Sequence, residues 1–274
     1  MSNVMYPQIE VMGVIAHFGN VAGDYAKYRD ALPAILFDQL AERGIAFQGA
    51  DVVDLGSGTG IFARDLALRG AREVIGVEPS EELIREAVRL DRSLGIRSIR
   101  YVNAHAENFE LSRIYPIFTA VRAWHWFDRA KAIRNIRNHL EPGGYLIVIN
   151  SVFLPDSEIA KVTFETVKSH RIEPKPAGSY AEAKERRNGF PVHWFAEWED
   201  HSLQLIDEWE QSYMLTFTHE QWCGKIRSVS WMTHADENIR KKVTDDLLDR
   251  LAKYEPVLRI PHQYSVVVLR KGTP

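Results

Sequence analysis

Residues 52–60 read Val-Val-Asp-Leu-Gly-Ser-Gly-Thr-Gly, a β-branched run that ends in an acid and breaks at once into glycines spaced two apart. Val52 and Val53 open an apolar run without alternation, the pattern of a central parallel strand buried on both faces. Gly56, Gly58 and Gly60 let the backbone turn sharply and come close to a ligand, because no Cβ stands in the way. Ile61 to Arg69 carries apolar residues at helical spacing and stops at Gly70, a C-terminal cap. The unit is therefore strand, tight glycine turn, helix.

The rest of the first 150 residues repeats that alternation. An amphipathic helix over 32–43 closes at Gly44 ahead of the first strand. Glu73 to Val77 is a second strand ending at Glu78, and Ser80 caps a helix to about Leu90 with Glu81 and Glu82 at the positive end of its dipole. Strands near 97–102, 117–123 and 145–149 follow, with a helix starting near Asp128. Strand and helix alternating in this way predict a doubly wound, mostly parallel sheet, with the ligand outside the carboxyl ends of the strands. Beyond Asn150 the pattern changes. Ser157 to Ser169 reads as helix, and 171–190 mixes Pro, Gly and charges as a mobile loop or cap would. Leu203 to Phe217 reads as strand, Asp236 to Tyr254 as amphipathic helix and His262 to Arg270 as a final strand.

Two classes of nucleotide ligand use a glycine turn of this kind. The fingerprint G-x-G-x-x-G sets a dinucleotide's pyrophosphate on the helix N-terminus. Here the third glycine falls one residue early, and Ile61 stands where that pattern wants glycine. A carboxylate at Asp54 repels a pyrophosphate and suits a ligand with positive charge, such as the sulfonium and ammonium of S-adenosylmethionine. Glu78 is placed to accept hydrogen bonds from both hydroxyls of a ribose, which either ligand offers.

Five segments in order, Asp54 to Gly60, Val77-Glu78-Pro79-Ser80, Ala106-Glu107, His125-Trp126-Phe127-Asp128 and Leu140 to Gly144, resemble the motifs of class I S-adenosylmethionine-dependent methyltransferases. The His-Trp-Phe-Asp element resembles the small-molecule branch that includes trans-aconitate methyltransferase-like proteins. The resemblance spans about residues 17 to 150. It implies a Rossmann-like α/β fold with a seven-stranded mostly parallel sheet, whose last two strands form an antiparallel pair, and a helical cap insertion. The implied divisions are an N-terminal lid and first helix (1–45), a cofactor-binding core (46–150), a cap (151–200) and the C-terminal part of the sheet (201–274).

The resemblance assigns the cofactor to Asp54, Gly56, Ser57, Gly58, Glu78, Pro79, Ser80 and Ala123, with adenine at Ala106 and Glu107. From the N-terminal segment, Tyr25 and Arg29 close over the cofactor, Arg29 offering a planar fork for a carboxylate. The acceptor falls to His17, Tyr28, Trp124 and Trp126, whose aromatic faces suit a sulfonium and shape an apolar pocket. His125 is the catalytic candidate. It either orients an acceptor oxygen or takes a proton, or else is a packed histidine bonded to backbone. The tyrosines of 25–28 have a similar second reading as core packing. Pro116 stands where the family has aspartate, which leaves the start of the fourth strand open.

The 274 residues suit one large domain with a sizeable core, and 45% hydrophobic with 26% charged residues is ordinary globular composition. The net charge is −3, with no lysine or arginine run, so nothing marks a phosphate-backbone partner. Cys223 stands alone and the histidines form no H-E-x-x-H pattern, so neither an internal disulfide nor a metal site is expected. Residues 1–18 lack a basic start and a long apolar stretch, which fits a cytoplasmic protein. The expectation is a monomer or homodimer that transfers a methyl group to oxygen or nitrogen of a small-molecule acceptor. A macromolecular methyltransferase and a non-catalytic S-adenosylmethionine-binding protein are the alternatives.

Overall fold

The computed structural model describes residues 10–11, 14–15, 28, 30–176, 178–181 and 183–272. Its centre is a seven-stranded sheet of β1 (Asp51–Leu55), β2 (Glu73–Glu78), β3 (Ile99–Asn103), β4 (Tyr115–Val121), β5 (Leu140–Phe153), β6 (Leu203–Thr218) and β7 (Val257–Lys271). The spatial order is β6-β7-β5-β4-β1-β2-β3. β7 pairs antiparallel with both β5 and β6, and the pairs from β5 through β3 are all parallel. The order reverses between β1 and β4, and their carboxyl ends therefore border the crevice where such sheets hold ligands.

Helices α1 (Ala34–Glu42), α2 (Ile61–Leu68), α3 (Glu81–Ser93) and α4 (Arg129–His139) flank the parallel strands. All five residues of β1 are buried, as a strand covered on both faces must be. Val53 and Leu55 enter the core that holds α4, and Val52 enters the one that holds α1 and α2. The Ser80 hydroxyl caps α3 by accepting from Leu83 N at 3.3 Å, and the Asp128 carboxylate caps α4 by accepting from Lys131 N at 3.2 Å. Pro116 resolves the question at β4. The strand begins at Tyr115 opposite Leu140, and the register with β5 slips between Tyr115 and Ile117, a bulge that accommodates a residue without an N–H.

Among the described residues four further α-helices follow: α5 (Glu158–Ser169), α6 (Val192–Asp200), α7 (His219–Arg227) and α8 (Glu237–Leu251). The sequence patterns had not marked α6 or α7. Ile159, Val167, Trp222, Ile226, Val243 and Leu247 join α5, α7 and α8 into a core of their own beside the ends of β6 and β7. Parts of 171–190 are built rather than loose among the described residues. Gly178–Tyr180 forms a 3-10 turn, Arg186–Arg187 pairs with Phe190–Pro191, and Ser179, Tyr180 and Phe190 are buried. Among the described residues, no helix is long and apolar enough to cross a membrane.

Candidate cofactor and acceptor site

The turn after β1 is built by its glycines. Gly56, Gly58 and Gly60 have φ of 64°, 57° and 76°, a left-handed backbone that β-carbons disfavour. A Cβ on Gly56 would stand 2.5 Å from the Ala123 Cβ, and one on Gly60 would stand 2.1 Å from the Tyr101 hydroxyl. The turn is pinned to β2 by Gly56 N and Ser57 N, both donating to Val77 O.

Glu78 closes the far side of the turn. Gly58 N donates to its Oε2 at 2.9 Å and Ser80 N to its Oε1 at 3.0 Å. Each oxygen keeps a further lone pair, the donor-poor arrangement that two vicinal hydroxyls fit. Asn103 Nδ2 holds the adjoining chain by donating to Glu78 O at 3.2 Å and Pro79 O at 2.9 Å. Burial raises the Glu78 carboxyl to about 7 against the opposing pull of those two amides. Asp54 is likewise raised to about 7, chiefly by burial, then by the charge of Glu78, while the Thr119 hydroxyl donating at 2.7 Å pulls the other way. Two buried acids this close leave the site short of positive charge.

A cavity of about 580 Å³ opens beside these groups and brings together Gly56, Gly58, Glu78, Pro79, Ala106 and Glu107 with Ala123, His125 and Trp126. Glu107 Oε1 accepts from Asp128 N at 2.6 Å, so this acid is tied to the start of α4. The His125 ring lies 4.9 Å from Trp126 and 5.2 Å from Tyr180, centroid to centroid, and Ser179 Oγ donates to His125 O at 3.2 Å. The 178–180 turn therefore rests on the 124–126 turn.

Several expected residues lie elsewhere. Trp124 is 2% exposed and packs on Phe127 and Trp198 in the core, because the 3-10 turn over Trp124–Trp126 sends it inward while Trp126 faces the cavity. This corrects its expected place in the acceptor pocket. The Tyr28 ring lies against Gly224, where a Cβ would meet it at 2.3 Å, rather than on the cavity wall. Ser80 contributes as a helix cap and backbone donor, and Ser57 lines a smaller neighbouring cavity. His17, Tyr25 and Arg29 lie outside the described residues.

The other half of the cavity was not foreseen. Phe153, Phe164 and Trp231 form an aromatic wall, with Phe153 stacked on Phe164 at 5.5 Å. At its base the Lys225 ammonium pairs with Asp30 and donates to His262 Nε2 at 2.7 Å, while His262 Nδ1 donates to Ile260 O at 2.9 Å. Burial first, then the Lys225 charge, lowers His262 to about 4, which keeps it neutral. Arg122 adds a donor to Asp30 O at 2.7 Å. Among the described residues, no group of three or more His, Cys, Asp or Glu could hold a metal ion.

Residues 52–144 match the family model described as a methyltransferase domain. An uncharacterized methyltransferase of Mycobacterium tuberculosis is 31% identical over 131 residues, 47% of this chain and 49% of that protein. The chain spans about half the length of the curated relatives it matches. Among solved structures, a protein of Anaeromyxobacter dehalogenans, itself only provisionally assigned as a type II methyltransferase, superposes with a TM-score of 0.60 at 20% identity, covering 90% of this chain and all of that one. An S-adenosylmethionine-dependent methyltransferase of Thiobacillus denitrificans, solved with S-adenosylhomocysteine, gives 0.53 at 18% identity over 93% of this chain and 98% of that one. At these identities the superpositions speak for the fold, and the family match speaks for the segment that carries the glycine turn and Glu78. Residues 52–144, the segment that carries the glycine turn and Glu78, are thus similar to a methyltransferase domain.

Proposed function

We propose that the chain transfers a methyl group from S-adenosylmethionine to a small acceptor bound in the cavity beside it. The observation that carries this reading is one continuous cavity. It begins at Glu78 and the glycine turn, passes Ala123 and His125, and ends between Phe164, Trp231 and the Lys225–His262 pair. Its size, about 580 Å³, is that of a small-molecule site.

Glu78 would hold the ribose, Pro79 and Ala106 the adenine edge, and the glycine turn with Asp54 the methionine half. When bound, the cofactor supplies a methyl carbon on a cationic sulfur. Trp126 and His125 then shape the wall where acceptor and cofactor meet. His125 orients an acceptor oxygen or nitrogen, and alignment of that atom supplies most of the acceleration. Oxygen is the favoured acceptor atom, because a carboxylate needs no base; nitrogen is the alternative. The 1–45 segment as a lid and the 151–200 segment as a cap remain part of this reading, as does trans-aconitate methyltransferase-like chemistry.

Calorimetric titration with S-adenosylhomocysteine and, separately, NAD tests the cofactor. Binding of the first alone is expected, and binding of NAD alone would overturn the reading. Screening small carboxylic acids, phenols and amines for S-adenosylhomocysteine release tests the transfer. With a productive acceptor, His125→Gln should lower kcat at least ~10-fold while S-adenosylhomocysteine affinity stays within about twofold. Cofactor binding without turnover on any acceptor, or transfer to RNA or protein instead, would sink the small-molecule assignment.

A further inference from the structure

Phe153, Phe164 and Trp231 are three large rings left half-buried where they border the cavity. Phe153 stacks on Phe164 at 5.5 Å with 27° between the planes, Phe164 meets Trp231 at 6.4 Å, and Phe153 and Trp222 meet edge to face at 5.1 Å. Trp222 is fully buried and donates from Nε1 to Thr163 Oγ1 at 2.9 Å, and that hydroxyl donates in turn to Ile159 O at 2.7 Å. The wall is therefore braced from behind, and its open ring surface is fixed before a ligand arrives.

Pro174 and Pro176, from the segment that follows α5, line the same cavity. That segment leads directly to His125. Two residues past Pro176, Gly178 has φ of 54° and comes so close to His125 that a Cβ would stand 2.2 Å from its carbonyl oxygen. Two residues of chain reach about 7 Å at most, so the proline-lined part of the cavity lies within about one ring's length of the turn that carries His125.

Such a surface selects by shape and by charge. Flat rings stack on aromatic faces with more affinity than their buried area gives, by roughly 2- to 10-fold. The acids that line the cavity are engaged elsewhere among the described residues: Asp30 pairs with Lys225, Glu210 Oε1 accepts from Ser265 Oγ at 3.1 Å, and Glu78 and Glu107 belong to the cofactor end. Positive charge is close instead. The His262 ring lies 6.3 Å from Phe153 and accepts from the Lys225 ammonium at 2.7 Å, and Lys175 lines the cavity between the two prolines. An ammonium on the acceptor would meet repulsion here, whereas a neutral or anionic ring would not.

We propose that this end of the cavity takes a planar aromatic ring, uncharged or anionic, and turns the acceptor's nucleophilic atom toward His125. The proposal rests on the methyl-transfer reading above and narrows its acceptor to arenes carrying an oxygen, such as aryl carboxylates and phenols. It ranks aliphatic acids and cationic amines below them.

The test is the affinity of matched probes for the protein saturated with S-adenosylhomocysteine, read by saturation-transfer NMR: benzoate, its saturated counterpart cyclohexanecarboxylate, and benzylamine. Probes this small bind at about millimolar strength. Benzoate should bind at least ~3-fold more tightly than cyclohexanecarboxylate, the reverse of the order that apolar burial alone gives, because the saturated ring is the more apolar. It should bind at least ~10-fold more tightly than benzylamine. Trp231→Leu and Phe164→Leu keep apolar bulk without the ring and should bring the first ratio to about one or below. Their S-adenosylhomocysteine affinity, from calorimetry, should stay within about twofold and report an intact fold. Cyclohexanecarboxylate or benzylamine binding as tightly as benzoate, a ratio unmoved in both variants, or no benzoate binding at ~10 mM overturns the proposal while the cofactor reading stands. The wild-type comparison decides whether or not the variants fold. A wild type that does not bind S-adenosylhomocysteine overturns the cofactor reading itself.

Discussion

Replacing Asp54 by Asn should stabilise the ligand-free protein in alkaline solution while weakening its hold on the cofactor. Asp54 is 2% exposed, and its carboxyl is raised from 3.8 to about 7. For an acid raised on folding, the native state holds the proton more tightly than the unfolded chain does. The cost is absent below the unfolded value, grows as pH climbs from about 4 to 7, and is complete above that. A shift of about 3 units corresponds to about 4 kcal/mol at pH 8. Asn keeps an oxygen for the Thr119 hydroxyl but brings two amide hydrogens that need acceptors, which offsets about 1–3 kcal/mol.

The net gain at pH 8 is therefore about 1–3 kcal/mol, a rise in Tm on the order of 5 °C for a chain of this size. At pH 4.5 only about 1 kcal/mol of the ionisation cost remains, so the gain should vanish or reverse. Thermal melts of the two proteins at pH 8 and pH 4.5 decide the matter. A variant no more stable than wild type at pH 8, or equally stabilised at both, would refute the claim that Asp54 is held ionised against its burial.

If the cofactor sits on these two carboxyls as proposed, its binding should be pH-dependent. An ammonium beside Asp54 and hydroxyls donating to Glu78 both favour the ionised acids, so S-adenosylhomocysteine should bind more tightly from pH 6 to 8 and release about one proton per raised carboxyl at pH 6, read from calorimetry in buffers of different ionisation enthalpy; a flat profile argues against it. Gly56→Ala forces a Cβ to 2.5 Å from Ala123 in a left-handed backbone, which should cost about 2–4 kcal/mol and lower Tm by roughly 5–10 °C. An unchanged melting curve would mean that the turn has slack the structure does not display. Phe164→Ala and Trp231→Ala should raise the acceptor KM at least ~5-fold and leave S-adenosylhomocysteine affinity within about twofold, as for contacts confined to one ligand; a matching loss of cofactor would place those rings at the wrong end of the cavity.

What was legible in the sequence was what is local in the chain. The turn at 54–60 and the acid at 78 announce themselves because strand, sharp turn and helix must follow within a few residues, and glycine is the residue that a left-handed turn under a ligand requires. The caps at Ser80 and Asp128 were readable for the same reason. Asp30 and Lys225 meet across 195 positions of sequence, with His262 a further 37 along, and no periodicity links them. Trp124 shows the limit at close range. It shares a motif with His125 and Trp126, yet one 3-10 turn buries it and exposes its neighbour, a rotation that aromatic content alone does not encode. Nor did the left-handed backbone at Arg122 carry a signal, since arginine rarely adopts it.

This division has a physical basis that bears on how such a chain specialises. The cofactor end is made from residues within the 52–144 segment that matches the family model, and its shape is dictated by backbone: three left-handed glycines, two amides on Glu78, a turn pinned to β2. Backbone geometry tolerates few substitutions, so that half stays recognisable. The far wall of the cavity is made by side chains from the end of β5, from α5, α7 and β7 and from the turn near 231, outside that segment, and much of it rests on the separate core of α5, α7 and α8. Side chains on an independent core can change in size and charge without disturbing the glycine turn. On the proposed reading the acceptor half could change without disturbing the cofactor half, which is why the first can be argued only from the assembled cavity and the second from nine consecutive residues.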